Sequence, residues 1–220
     1  MGNCLRKSKI FKNGFTLAEV LITLVIVGVI AAMTIPNIIY ETKKHEYSAR
    51  LKKFYSTMKQ AELRANTDGK SWAEWVDSNY GNDSKTLATT TNFQNLYILP
   101  YISYNNTSED SYLQFRYVYL NDGSRFNNWK GYGCLRFEYD VNGLKKPNEA
   151  GRDIFYFMYC SSMYTEINDS DRKRTFITYQ NQNMTNRSTA LQACKNSAYY
   201  CSTLVMIDGW EFKSDYPYRL

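Results

Sequence analysis

The chain has 220 residues, with 27 basic against 21 acidic side chains and one His, giving a net charge of +6, and its length suits one domain with an appendage. Arg6, Lys7, Lys9 and Lys12 stand among the first 14 residues with no acid beside them, and the remainder carries 23 basic against 21 acidic residues, or +2. That balance gives no strong electrostatic case for nucleic acid, and 20 Tyr and 11 Phe beside abundant Asn, Ser and Thr suit short strands and exposed loops of an extracytoplasmic domain better than a metabolic enzyme.

The basic leader ends at Gly14. From Val20 to Ile39 only Thr23, Thr34, Pro36 and Asn37 interrupt a run of apolar and small residues. A helix of about 20 residues at 1.5 Å per residue crosses a hydrocarbon core of about 30 Å. The basic residues ahead of it predict that this end stays in the cytoplasm and that the chain after Ile39 lies outside. An ordinary secretory signal has a shorter apolar core, with its small-residue cleavage site after it. Here the run is longer and Gly14 precedes it. Glu19 stands near the start of this run, and an ionisable group in an apolar span is costly and functional by default. The bland reading is a carboxylate at headgroup level that favours the positive end of the helix dipole.

The segment "GFTLAEVLITLVIVGVIAA" resembles the processing motif of type IV prepilins and of the related pseudopilins of type II secretion systems. It has a basic leader, a glycine, a phenylalanine, and a glutamate five positions past the glycine. The resemblance implies that a prepilin peptidase cuts between Gly14 and Phe15 and methylates the new Phe15 amine. It further implies that Glu19 pairs with a Phe15 amine during assembly. In pilin-like proteins a proline at the place of Pro36 marks a kink or a stretch that melts; the plain alternative is the end of the span. Gly28 allows close helix packing, and Gly131 reads as part of an unrelated loop.

Past Ile39, Tyr47, Leu51, Phe54, Met58, Ala61 and Ala65 recur at intervals of four and three, while Lys43, Lys44, Lys52, Lys53 and Lys59 fill other faces. That is an amphipathic helix whose stripe packs on the protein's own sheet. It continues the apolar helix for about 50 residues in all, roughly 75 Å if unbroken, until "NTDG", Asn66 to Gly69, stops it. Lys70 to about Ser111 reads as a linker region with two short helices, in "SWAEWVDSNYG" and in "NFQNLYILPYI", the second ended by Pro100.

The C-terminal half turns to strands: "YLQFRYVYL", then the turn "NDGS", then "CLRFEYDVNG" and "RDIFYFMYC", with "TFITYQ" and "STLVMIDGWEF" as further candidates. A long helix followed by short strands argues α+β, the helix laid across an antiparallel sheet. The expected domains are a leader at 1–14, an apolar assembly helix at 15–39, its amphipathic continuation at 40–66 and a β-rich head at 67–220. "DVNGLKKPNEAGRDIFYF" and "CSTLVMIDGWEFKSDYPY" resemble segments that recur in bacterial prepilin-type proteins with the same signal.

Cys4 belongs to the leader; Cys134, Cys160, Cys194 and Cys201 form an even set. Export favours disulfides. Cys194 and Cys201 are close enough to close a small loop, which leaves Cys134 with Cys160, although three pairings are open and four reduced thiols are the alternative. Zinc has no matching ligand spacing. Asp140 and Asn142, followed by Gly143 and with Asp153 later, imitate the opening of a calcium loop. Some secretion pseudopilins bind calcium in this region, but the full EF-hand pattern is absent and turn chemistry comes first. No cofactor is otherwise called for.

Catalysis has little to stand on: there is no phosphate loop and no G-x-S-x-G elbow, and His45 sits on the polar part of a helix next to Lys44 and Glu46. The expected role is a structural pilin or pseudopilin subunit. The alternative is a binding protein at a filament tip or surface, with tyrosine-rich loops that touch carbohydrate, DNA or protein. The resemblance implies as partners a prepilin peptidase, other pilin subunits, an inner-membrane assembly platform and, before assembly, the lipid bilayer. It places the chain in the bacterial inner membrane as a single-pass protein, then in a periplasmic or cell-surface filament.

Overall fold

A computed structural model describes residues 14–79, 87–131, 133–164 and 175–220. The leader as far as residue 13, with Cys4, Arg6, Lys7, Lys9 and Lys12, lies outside the described residues. The chain divides into two compact units, Met1–Thr42 and Lys43–Leu220.

In the first unit the described chain is the opening of helix α1, Leu17–Thr67. Its apolar side chains are exposed among the described residues: Leu21, Val25, Val29 and Ile38 are each more than half exposed. α1 is the one helix among the described residues that is long and apolar enough to cross a membrane. The helix is continuous through Pro36, so Pro36 does not end it. A Cβ at Gly28 would meet nothing within 4 Å, so no packing within this chain requires a glycine there.

In the second unit the same helix buries Tyr47, Leu51, Phe54, Met58, Ala61, Glu62 and Ala65. These are the residues of the predicted stripe, with Glu62 added. They cover one face of a six-stranded antiparallel sheet in the order β1-β2-β3-β4-β5-β6. The strands are β1 Asn106–Asp110, β2 Phe115–Tyr119, β3 Arg125–Gly131, β4 Cys134–Asp140, β5 Ile154–Cys160 and β6 Ile177–Thr178. The class is α+β, as the sequence predicts.

The register decides which side chains meet the helix. Phe126 pairs with Tyr139 and Tyr139 with Phe155, while Phe137 pairs with Phe157 and Leu135 with Tyr159. Opposed residues share a face, so these rings form one apolar layer, and Phe54 sits in the middle of it. Its ring stacks on Tyr139 at 4.1 Å and meets Phe157 at 5.2 Å and Phe126 at 5.5 Å. Phe176 closes the layer, stacked on Phe157 at 5.5 Å.

Where they are described, residues 70–111 hold the two short helices that the sequence predicts, packed into the core rather than serving as a linker. Helix α2, Trp72–Ser78, starts with Ser71 as its cap, and helix α3, Leu87–Phe93, runs on into a π-helical turn and a 3₁₀ turn that contains Pro100. Trp72, Val76, Phe93 and Ile98 are fully buried, and Trp72 Nε1 donates to Tyr97 O at 3.0 Å. These elements therefore finish the core. Gly131 is the last residue of β3, not part of an unrelated loop.

"STLVMIDGWEF" departs from the strand expectation: Cys201–Ile207 is helix α5, which follows helix α4, Arg187–Asn196. Leu204, with Cys201, Cys194, Ala190 and Met184, forms a small separate cluster. Ser202 Oγ donates to Tyr156 O, and Thr203 Oγ1 donates to Tyr179 O at 2.8 Å. A run of β-formers is thus a helix here, its hydroxyls bonding the carbonyls of Tyr156 in β5 and of Tyr179 just past β6.

Candidate functional site

The N-terminal motif is built by one helix start. Gly14, Phe15 and Thr16 precede α1 in non-helical conformation, and Phe15 is 87% exposed. Gly14 is not in the left-handed region, and a Cβ there would meet nothing. The fold of this chain therefore places no demand for glycine at that position.

Thr16 and Glu19 form a reciprocal cap. Glu19 N donates to Thr16 Oγ1 at 3.2 Å, and Thr16 N donates to Glu19 Oε2 at 2.8 Å. Thr16 Oγ1 also donates to the same Oε2 at 2.7 Å. A helix start leaves backbone N–H groups without partners, and a Thr-x-x-Glu box satisfies two of them. Glu19 thus has a structural occupation within its own chain, which the sequence reading missed although "TLAE" carries the pattern. Both donors to the carboxylate belong to Thr16, which lies on the helix side of the Gly14–Phe15 bond. Both bonds that the carboxylate accepts reach Oε2; among the described residues Oε1 accepts none.

The loop after β4 gathers Asp140, Asn142 and Asp153. Asp153 is fully buried. Its Oδ1 accepts from Glu149 N at 2.6 Å, and its Oδ2 accepts from Asn148 N at 2.8 Å and from Asn142 Nδ2 at 3.1 Å. Asp140 Oδ2 accepts from Arg125 Nε at 3.0 Å, and Oδ1 from Asn142 N at 3.3 Å. Burial pushes the Asp140 carboxyl up to about 6, the Asp153 charge adds to the rise, and Arg125 opposes it.

Calcium needs six to eight oxygen ligands. Here the carboxylate oxygens are taken up by N–H donors, and Asn142 turns its amide nitrogen toward Asp153. Among the described residues no group of three or more His, Cys, Asp or Glu stands in metal-binding array. In this hydrogen-bonded arrangement the three residues serve a turn, which Asn142 Nδ2 also ties to Tyr47 Oη of α1 at 3.1 Å.

The cysteines pair as Cys134–Cys160 and Cys194–Cys201. The first joins residues directly opposite each other on β4 and β5; the second links α4 to α5. His45 is exposed.

Residues 37–220 match the family described as a family of unknown function (DUF6613). Residues 11–35 match the prokaryotic N-terminal methylation motif. No curated protein and no solved structure matches the chain. The motif match spans Gly14, Phe15, Thr16 and Glu19 and marks a prepilin-type cleavage and methylation signal.

Proposed function

Because the chain belongs to the family of unknown function DUF6613 and opens with a prepilin-type signal, we propose that it is a structural subunit of a type IV pilus-like or type II secretion filament. Prepilin peptidase removes the leader at Gly14, methylates the Phe15 amine, and leaves residues 15–39 as the assembly helix. Residues 40–66 continue that helix, and residues 67–220 form the head. Before assembly the apolar helix lies in the inner membrane with the head outside. In the filament it packs against the helices of other subunits, with Pro36 as the place where it kinks.

The observation that carries this reading is the conjunction of the matched motif with the apolar opening of α1, which is unburied among the described residues. Glu19 has two tasks in it. Oε2 caps the helix through Thr16, and because Thr16 lies after the cleaved bond, the cap survives processing. Oε1 is left to meet the methylated amine of a Phe15. A carboxylate in an apolar setting needs such a partner.

The decisive measurement is the mass of the mature N-terminal peptide in cells that contain a prepilin peptidase. The expected peptide begins at Phe15 and carries one extra methyl group; a chain that retains residues 1–14 overturns the proposal. Glu19→Ala is expected to be cleaved but to be lost from filaments, and incorporation at wild-type level would remove the assembly role.

A further inference from the structure

One cavity of the second unit gathers positive charge. It has a volume of about 220 Å³ and is lined by Lys43, Tyr47, Arg50, Asn142, Lys145 and Lys146, together with Glu46, Asp122 and Gly123. The two acids of the lining are already matched. Glu46 pairs with Arg50 at 2.7 Å. Asp122 pairs with Lys53 at 2.9 Å and accepts from Ser124 N at 3.2 Å. Among the described residues no ion pair joins Lys43, Lys145 or Lys146. Three lysines therefore line one small space without an ion-pair partner of their own, an arrangement that a bound anion stabilises.

The walls of this space are fixed. Arg50 Nη1 donates to Val141 O at 2.7 Å, and Asn142 Nδ2 holds Tyr47 Oη at 3.1 Å. Gly143 has a φ of +71°, and a Cβ there would stand 2.3 Å from Gly123 O. Two hairpin loops thus touch backbone to backbone, and only glycine permits it. That contact sets where the chain of Lys145 and Lys146 departs.

The place of the cavity along the chain selects its ligand. Lys43 comes four residues after Ile39, so its Cα lies within about 14 Å of the end of the apolar run in any backbone conformation. The polar headgroup layer on each side of a bilayer is about 5–8 Å thick, and lysines reach along apolar surface to place their charge there. We propose that this cavity binds the phosphate of an anionic phospholipid headgroup while the chain is in the bilayer. Lys43, Lys145 and Lys146 supply the charge, and Tyr47 Oη and Arg50 form the wall. The proposal rests on residues 15–39 being a span, but not on filament assembly.

The test uses the full chain in nanodiscs of phosphatidylglycerol, in nanodiscs of phosphatidylcholine, and in the latter with millimolar inorganic phosphate. Lysine acylation by a water-soluble active ester is read residue by residue by mass spectrometry. In phosphatidylglycerol, Lys43, Lys145 and Lys146 are expected to react at least about threefold more slowly relative to Lys195 and Lys213 than in phosphatidylcholine, given the attraction of basic residues to anionic surfaces. Equal protection by inorganic phosphate would overturn the lipid as source and leave a phosphate site. No protection in either arm overturns the site itself. Lys145→Gln with Lys146→Gln is expected to release Lys43 from protection, and persistence would also overturn the site. Failure of the chain to enter nanodiscs counts against the span instead, so the two readings fail separately.

Discussion

The two halves of α1 have opposite relations to the rest of the chain. Between Leu17 and Ile39 the side chains are apolar on every side and exposed; between Tyr47 and Ala65 the sequence is polar on most faces, yet seven side chains are buried. Exposure of a large apolar surface signals an interface with membrane or protein, whereas an apolar stripe on a polar helix signals a core within the same chain. The hydrophobic half is therefore written for surroundings that other molecules supply. The less hydrophobic half holds the fold.

Substitutions in the two halves separate these roles. Phe54→Ala removes the ring at the centre of the layer formed by Tyr139, Phe157 and Phe126, and it is expected to cost the head about 3–5 kcal/mol. Val25→Ala removes an exposed side chain and is expected to leave head stability within about 0.5 kcal/mol. Chemical denaturation followed by tyrosine and tryptophan fluorescence reads both. An equal loss would show that the apolar half contributes to the head's core.

The disulfides sharpen the same division, because all four paired cysteines lie in the head. Cys134 and Cys160 are 26 residues apart and Cys194 and Cys201 only 7. Loop-closure entropy then gives about 3.5 kcal/mol for the first and about 2.4 kcal/mol for the second. Paired Cys→Ser variants are expected to lose stability in that order in denaturation midpoints. The reverse order would mean that the α4–α5 cluster depends on its covalent link more than on packing.

The amphipathic half also meets a titrating loop, through Tyr47 and Asn142. The Asp140 carboxyl is raised by burial from the ordinary 3.8 to about 6, so the folded chain holds this proton more tightly than the unfolded one. Its contribution is fully present below about pH 4 and is lost as the pH rises through about 6. Burial raises Glu62 and Glu138 in the same direction, so the wild-type melting temperature is expected to fall across this window. Asp140→Asn is expected to flatten that fall without abolishing it. An unchanged slope would remove Asp140 from the account.

What the sequence disclosed follows where burial was periodic. The stripe from Tyr47 to Ala65 and the alternation in β4 and β5 are strong because each element buries a single apolar face. β3 gave no signal, since its inward positions after Phe126 are Asn128 and Lys130. These are served by partners that only the fold brings near: Gln94 Nε2 donates to Asn128 Oδ1 at 2.9 Å, and Lys130 Nζ donates to Asn79 O. β1 was silent for another reason, being a polar edge, "NTSED", with no apolar face to read. Cys201–Ile207 misled because a short apolar run has no decisive period. At the N-terminus Gly14, Phe15 and Glu19 were legible as a motif, and the residue overlooked was Thr16.

Thr16 is also where the two tasks of Glu19 can be separated. Thr16→Ala removes the hydroxyl that accepts from Glu19 N and donates to Oε2, but it leaves the Thr16 backbone N–H that also donates to that oxygen. Losing a cap costs a helix end about 1 kcal/mol, so faster hydrogen exchange is expected at the amides of residues 17–20 and nowhere in the head. Glu19→Gln keeps an oxygen for the cap but abolishes the charge, so it is expected to preserve most of that protection while weakening assembly. If Thr16→Ala impairs filament incorporation as severely as Glu19→Gln, then holding the carboxylate against the helix end is itself a condition of assembly. If it does not, the charge of Glu19 acts on its partner without the cap, and the hydrogen bonds to Thr16 serve only the start of the helix.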